Sequence, residues 1–166
     1  MVEFAKNIPV RGNVQSGMDQ ILNMPRASVY RNAGLTPASG AVTTIIWDTL
    51  EYDTDGFWSG ATTTKLTVRT SGIYLFNAWC DWAGSITGFR QLYLKKNATS
   101  LMAAVSETGP TNSASCSQST SVQVPMNAGD FMEVIATQTA GGALSFNAAT
   151  LTNRLNGFQA CLISTT

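Results

Sequence analysis

From Arg26 to the end of the chain, apolar residues recur at every second position in short runs bounded by turn-forming residues, the period of half-buried β-strands. The pattern predicts strands near 27–32, 43–52, 65–69, 72–82, 88–95, 100–105, 118–124, 130–138 and 156–164. Turn signals separate them, among them Pro37-Ala38-Ser39-Gly40, Asp53–Gly56, Ser71-Gly72, Gly109-Pro110, Asn127-Ala128-Gly129 and Gly141-Gly142. Many short strands at this spacing predict an all-β sandwich or barrel. The absence of any repeat of roughly 20–50 residues argues against propellers and solenoids.

Alternation also assigns faces. In the segment 72–82, Tyr74, Phe76, Ala78 and Cys80 point one way, and Ile73, Leu75, Asn77, Trp79 and Asp81 the other. Both sets are largely apolar, which predicts a strand covered on both sides and hence a subunit interface. Trp79, Trp82, Tyr93 and Phe131 are candidates for a core shared between subunits, with ordinary intrachain packing as the competing reading.

The first 25 residues differ. Met1–Gly12 has no period and reads as an extended arm. Val14, Met18, Ile21 and Leu22 fall at i, i+4, i+7 and i+8, one face of a short helix that Asn13 or Ser16 caps and Pro25 stops. A helix of about ten residues is marginal alone, so its apolar face needs a partner. That partner is the chain's own domain, a three-helix stub, or a docking groove on a larger particle. The chain therefore divides into an arm, 1–25, and a β-domain, 26–166.

Charge narrows the partners. Ten basic and ten acidic residues balance, and charged residues are only 12% of the 166, about half the usual share. A neutral surface gives no electrostatic capture of nucleic acid. Surface polarity must come from Ser, Thr, Asn and Gln, as in Thr111–Thr120. Met1–Pro9 holds no apolar core of the secretory type, which predicts synthesis in the cytoplasm, and no apolar run approaches membrane-span length. Asn97-Ala98-Thr99 matches a glycosylation acceptor that such a route leaves unused.

Candidate chemistry is sparse. The sequence contains no histidine, which removes Ser-His-Asp and Cys-His nucleophiles, most catalytic zinc sites and a neutral-pH switch. No glycine-rich phosphate loop occurs. Asp48, Glu51, Asp53 and Asp55 form the densest acidic cluster, but Phe57 and Trp58 stand where a calcium loop needs a ligand and glycine. The cluster reads as a strand edge and turn rather than a glycosidase pair. Three cysteines, Cys80, Cys116 and Cys161, are an odd number and do not form a disulfide framework; Cys80 and Cys161 read as buried free thiols. No cofactor and no metal is expected, and the chain reads as a non-enzyme.

Trp47, Asp53, Trp58, Leu66, Gly72, Tyr74 and Phe76 fall at spacings that resemble the signature of the C1q/TNF-like jelly-roll family. That signature runs aromatic, five residues, Asn or Asp, four residues, aromatic, then an apolar residue, five residues, Gly-x-Tyr-x-Phe. Leu66 stands where Phe is usual, the gap after Trp58 is one residue longer, and Ala78 replaces a final aromatic. Ala27–Asn32 looks like the family's first strand, Val122–Val134 like its Asn-Ala-Gly-Asp hairpin, and Phe158–Ile163 like its closing strand.

The resemblance implies a ten-strand jelly-roll sandwich that assembles as a compact homotrimer. Domains of this kind with neutral, Ser/Thr/Asn-rich surfaces look like those on tailed-bacteriophage virions. That implies a capsid decoration (cement) protein or short head fibre, docked on the major capsid protein or another virion protein through Val14, Met18, Ile21 and Leu22. An alternative implication is a receptor-binding tip of a tail fibre or baseplate. It would recognise a host saccharide or protein through Asp81–Gly88 and Glu107–Ser119, with Trp82 at its centre. A bacterial C1q-like protein on a spore surface or in a secreted assembly is the third. A calcium ion shared between strands, as in some family members, is a lesser implication.

Overall fold

A computed structural model describes residues 24–148 and 153–165. The arm positions Val14, Met18, Ile21 and Leu22 lie outside them. Ten strands follow in order: β1 Arg26–Tyr30, β2 Thr43–Thr44, β3 Thr49–Asp53, β4 Lys65–Thr67, β5 Gly72–Trp82, β6 Phe89–Lys96, β7 Ser100–Thr108, β8 Cys116–Met126, β9 Phe131–Gln138 and β10 Gly157–Ser164. Among the described residues there is no helix. The fold is the expected all-β jelly-roll sandwich.

One five-stranded sheet, A, has the order β3-β1-β10-β5-β8. The other, B, has the order β2-β9-β6-β7, with β4 also paired to β9. Neighbouring strands are antiparallel throughout, so alternate residues face the interior. In β5 the inward set is Tyr74, Phe76, Ala78, Cys80 and Trp82, all buried. Phe158 lies between Trp47 and Phe76, ring centroids 5.7 and 6.0 Å away, and Phe57 meets Tyr74 edge-on at 5.9 Å. These offset and edge arrangements suit the ring quadrupoles, and together the rings fill the space between the sheets.

The segment predicted as one strand over 43–52 is two. Thr43 and Thr44 pair with β9 in sheet B, whereas Thr49–Asp53 pairs with β1 in sheet A. Residues 45–48 cross between the sheets, and the crossing buries Ile45 and Trp47 completely. The hydrophobic gain of sealing the sandwich edge with an indole outweighs continuing one ladder. Trp47 and Ile45 read as strand residues because a crossing chain and a strand share the same extended backbone.

Register sorts the connections onto two ends. Arg26 pairs with Cys161 and Cys161 with Leu75, while Tyr30 pairs with Gly157 and Gly157 with Trp79. The chain thus enters beside Ser164 at one end, here proximal, with the turns 68–71, 97–99 and 127–130. The longer connections 31–42, 83–88 and 109–115, with residues 139–148 and 153–156, lie at the opposite, distal end.

Candidate assembly surface and distal loops

The signature residues work as a structural unit. Trp47, Leu66, Tyr74 and Phe76 are fully buried. The Asp53 carboxylate accepts the amides of Trp58 (2.9 Å) and Asp55 (3.1 Å), fixing the turn between β3 and β4. Tyr74 donates its hydroxyl to the Thr70 carbonyl at 2.7 Å. Gly72 leaves no room for a side chain, since a Cβ there would lie 2.5 Å from the Ser164 carbonyl oxygen. The other carboxylates of the acidic cluster are engaged locally as well. Asp48 accepts the amides of Asn32 and Ala33 at 2.8 Å each. Burial pushes its carboxyl up, but those amides, the Thr49 hydroxyl and the Arg31 charge hold it below the ordinary range. Glu51 receives Ser28 (2.9 Å) and Arg154, and Asp55 receives Thr70 (3.2 Å). No group of three metal-ligating side chains converges among the described residues.

The outer face of sheet A divides in two. Its proximal half carries Tyr52, Ile73, Leu75 and the bulged Ile163, each exposed by 37–41%, with half-buried Cys161 among them. Its distal half is mostly polar, with Asn77, Gln159, Ser28 and the exposed serines 117, 119 and 121 of β8 around the half-buried Trp79. β8 is the sheet's edge, eleven residues without a charged side chain. Edge strands in free monomers are usually guarded by charge, so this one reads as covered in an assembly.

The four shared-core candidates are not brought together. Trp79 lies on the outer face of sheet A across Gly157 and donates its indole N–H to the Arg154 carbonyl at 2.8 Å. Tyr93 and Phe131 belong to the opposite sheet. Tyr93 lines a shallow groove of about 210 Å³ with Val42, Lys95, Leu101 and Ile135, and Phe131 carries the Lys65 ammonium 4.1 Å from its ring centroid. Trp82 is a correction. It is fully buried inside its own chain, edge-on to Phe146 at 4.4 Å, with its indole N–H donated to Gln118 Oε1 at 2.8 Å. It is neither an intersubunit contact nor an exposed stacking platform, because the inward register of β5 runs to the strand's last residue.

Cys80 and Cys161 sit on neighbouring strands but face opposite sides of sheet A, so no bridge can join them. All three thiols are free. Cys80 is buried as expected, and burial pushes its thiol far up; Cys161 is only half-buried, on the outer face. Burial, with the Glu107 carboxylate that accepts its thiol at 3.1 Å, pushes Cys116 up to about 11.

Two buried arginines, which strand periodicity gave no reason to single out, hold the distal loops. Arg90 is completely buried without a carboxylate partner. Its guanidinium donates to the carbonyls of Ser85 (2.6 Å), Thr87 (3.0 Å) and Gly88 (3.4 Å), and its Nε is unpartnered. Arg31 likewise donates to the carbonyls of Ile46 (2.6 Å) and Gly34 (2.8 Å). Asp81 is buried too, accepting Ser117 Oγ at 2.6 Å and Asn147 Nδ2 at 2.5 Å. A residue of ordinary strand phase, such as Arg90 between Phe89 and Gln91, carries no sequence sign of inward orientation until the register is known.

No family model matches this sequence, and no curated protein does. Solved structures do. The globular domain of zebrafish complement 1qA aligns with a TM-score of 0.60 at 18% identity, covering 86% of this chain and 99% of that one. Eiger TNF from S. frugiperda aligns at 0.65 and 14% identity, covering 87% and 95%. Murine APRIL aligns at 0.60 and 12%, covering 84% and 99%. The chain thus has the C1q/TNF-like jelly-roll fold. At these identities the likeness is one of fold.

Proposed function

We propose that this chain is a non-enzymatic structural protein that self-associates as a trimer on a tailed-bacteriophage virion, as a capsid decoration protein or short head fibre. In this reading residues 1–25 engage the major capsid protein or a neighbouring virion protein, and the sandwich projects outward. The observation that carries self-association is the outer face of sheet A. An apolar proximal half lies on a sheet whose other edge is a long charge-free strand, and both are surfaces that a second copy covers. The chain enters at the same proximal end, so three sandwiches packed on these faces would gather their arms on one side. Three weak arm contacts held by one trimer then act at high effective concentration. The virion setting is supported by the low charge, the Ser/Thr-rich exposed surface and the apolar stripe within the arm.

The test is a full chain compared with one lacking residues 1–24. Sedimentation should give both a mass of three chains, and only the full chain should co-sediment with particles stripped of it. Undiminished binding by the shortened chain would sink the arm's role, and a monomeric full chain would sink the trimer. Gold-labelled antibody to residues 26–166 distinguishes head from tail. Label over the head supports decoration, and label confined to a tail tip replaces it with a host-recognition role.

A further inference from the structure

The charges of this chain are distributed unevenly along the sandwich. The distal segments 32–41, 83–88, 109–115 and 139–148 contain no Asp, Glu, Lys or Arg. The proximal turns hold Asp55, Arg69 and Asp130, flanked by Lys65, Lys95 and Lys96. Three charges that do lie distally, Arg31, Asp81 and Arg90, are turned inward and consumed by loop carbonyls, Ser117 and Asn147. A fourth, Arg154, is half-exposed but is paired with Glu51 beside the Tyr30 ring, on the sheet A side of the loops. Asp48 and Glu107 only flank the end. What these four segments present to solvent is mainly Gly, Ala, Ser, Thr and Asn, with Ile86 (60% exposed) at the tip of the 83–88 loop.

These loops are also fixed against one another. A Cβ on Gly84 would fall 1.9 Å from the Ser113 carbonyl oxygen, one on Gly88 2.0 Å from that of Thr139, and one on Gly109 2.5 Å from Arg90 Nη1. The loops therefore touch backbone to backbone, with Arg90 as the central donor. Burying a guanidinium with no carboxylate is an expensive way to stabilise a fold. Holding Ser85–Gly88 in one shape is what the expense achieves, and a fixed loop loses little entropy on binding.

We propose that this distal end, centred on Ser85–Thr87 and Thr111–Ser113, is a binding surface for a neutral saccharide polymer. A hydroxyl-rich surface whose loops carry no charge, and whose one exposed arginine is already paired with Glu51, offers little to nucleic acid or to acidic polymers, whose capture rests on ion pairs. Protein partners are anchored by Trp, Tyr and Arg, none of which is exposed in these segments. Hydroxyls and small residues instead match the alternating hydroxyl and C–H surface of an uncharged sugar, with Ile86 as the apolar contact. Arg90 is a positioning residue, since it touches the loop and not the ligand. The site goes beyond the virion reading and survives its failure; a trimer would only multiply it.

The test uses the full chain on immobilised neutral polysaccharides (glucan, mannan and galactan), with alginate as the acidic comparison. Expected is retention on at least one neutral polymer that is insensitive to added salt, weakened tenfold or more by Ile86→Asp together with Thr111→Asp. Leu101→Asp, on the outer flank of sheet B, should leave it unchanged. Ile86→Ser is the milder variant should the double one fail to fold, and it should still weaken retention several-fold. Retention on none of the neutral polymers would overturn the proposal. So would salt-sensitive binding to alginate alone, or retention that survives both tip variants.

Discussion

Replacing Gly88 by Ala tests the stitching of the distal end most directly. Gly88 has φ +68°, where an L side chain costs about 1–2 kcal/mol. Its added methyl would also lie 2.0 Å from the Thr139 carbonyl oxygen and 2.3 Å from its carbon, backbone atoms that cannot swing aside. Thr139 is held there by its amide N–H, which donates to the Phe89 carbonyl at 3.0 Å, and by its hydroxyl, which accepts the Phe89 amide at 3.0 Å. Overpacking of this kind costs about 1–3 kcal/mol more. The expected loss is therefore about 2–5 kcal/mol, a large part of the ~5–15 kcal/mol that holds a domain folded. Gly141 supplies the control: its φ is +86°, but a methyl there meets nothing within 4 Å. Gly141→Ala should lose only the conformational ~1–2 kcal/mol. Both are read by urea unfolding at one protein concentration, where Gly88→Ala should lower the midpoint markedly more with an unchanged slope. Equal midpoints for the two variants would refute the close approach of the 83–88 loop to β9.

Two further outcomes are expected. Gln118→Leu removes the acceptor of the buried Trp82 N–H and should cost ~1–3 kcal/mol. Adding Trp82→Phe should then cost less than it does alone, and additive effects in the double-mutant cycle would show that the pair is not coupled. Asp130 is held down to about 2 from an ordinary 3.8, first by the hydrogen bond from the Lys96 ammonium, then by Asn97 and the Asn127 amide. A lowered carboxyl stabilises the fold above about pH 4 and loses that contribution as pH falls towards 2. At this solvent-facing turn the effect is about 1 kcal/mol at most. Asp130→Asn should flatten the acid limb of stability between pH 4 and 2, and an unchanged limb would contradict it.

The sandwich was legible in local pattern. Two-residue alternation in Tyr74–Trp82 and Val122–Val134 exists because one face of each strand must be buried, and that demand is written locally. The signature spacing was legible for the same reason: Asp53 caps a turn within five residues, and Gly72 opens its own strand. What each face meets depends on pairings between distant strands. Trp82 looked like an exposed anchor, yet the register of β5 with β8 turns it onto Phe146 and Gln118, more than thirty residues away in the chain. The 43–52 segment crosses between sheets because sealing Trp47 against Phe158 is a contact across 111 residues, invisible to any local period. The cluster of charge-free distal loops is likewise a product of topology. Four separate stretches without charge are unremarkable singly, and only antiparallel pairing gathers them at one end while Arg31, Asp81 and Arg90 turn inward.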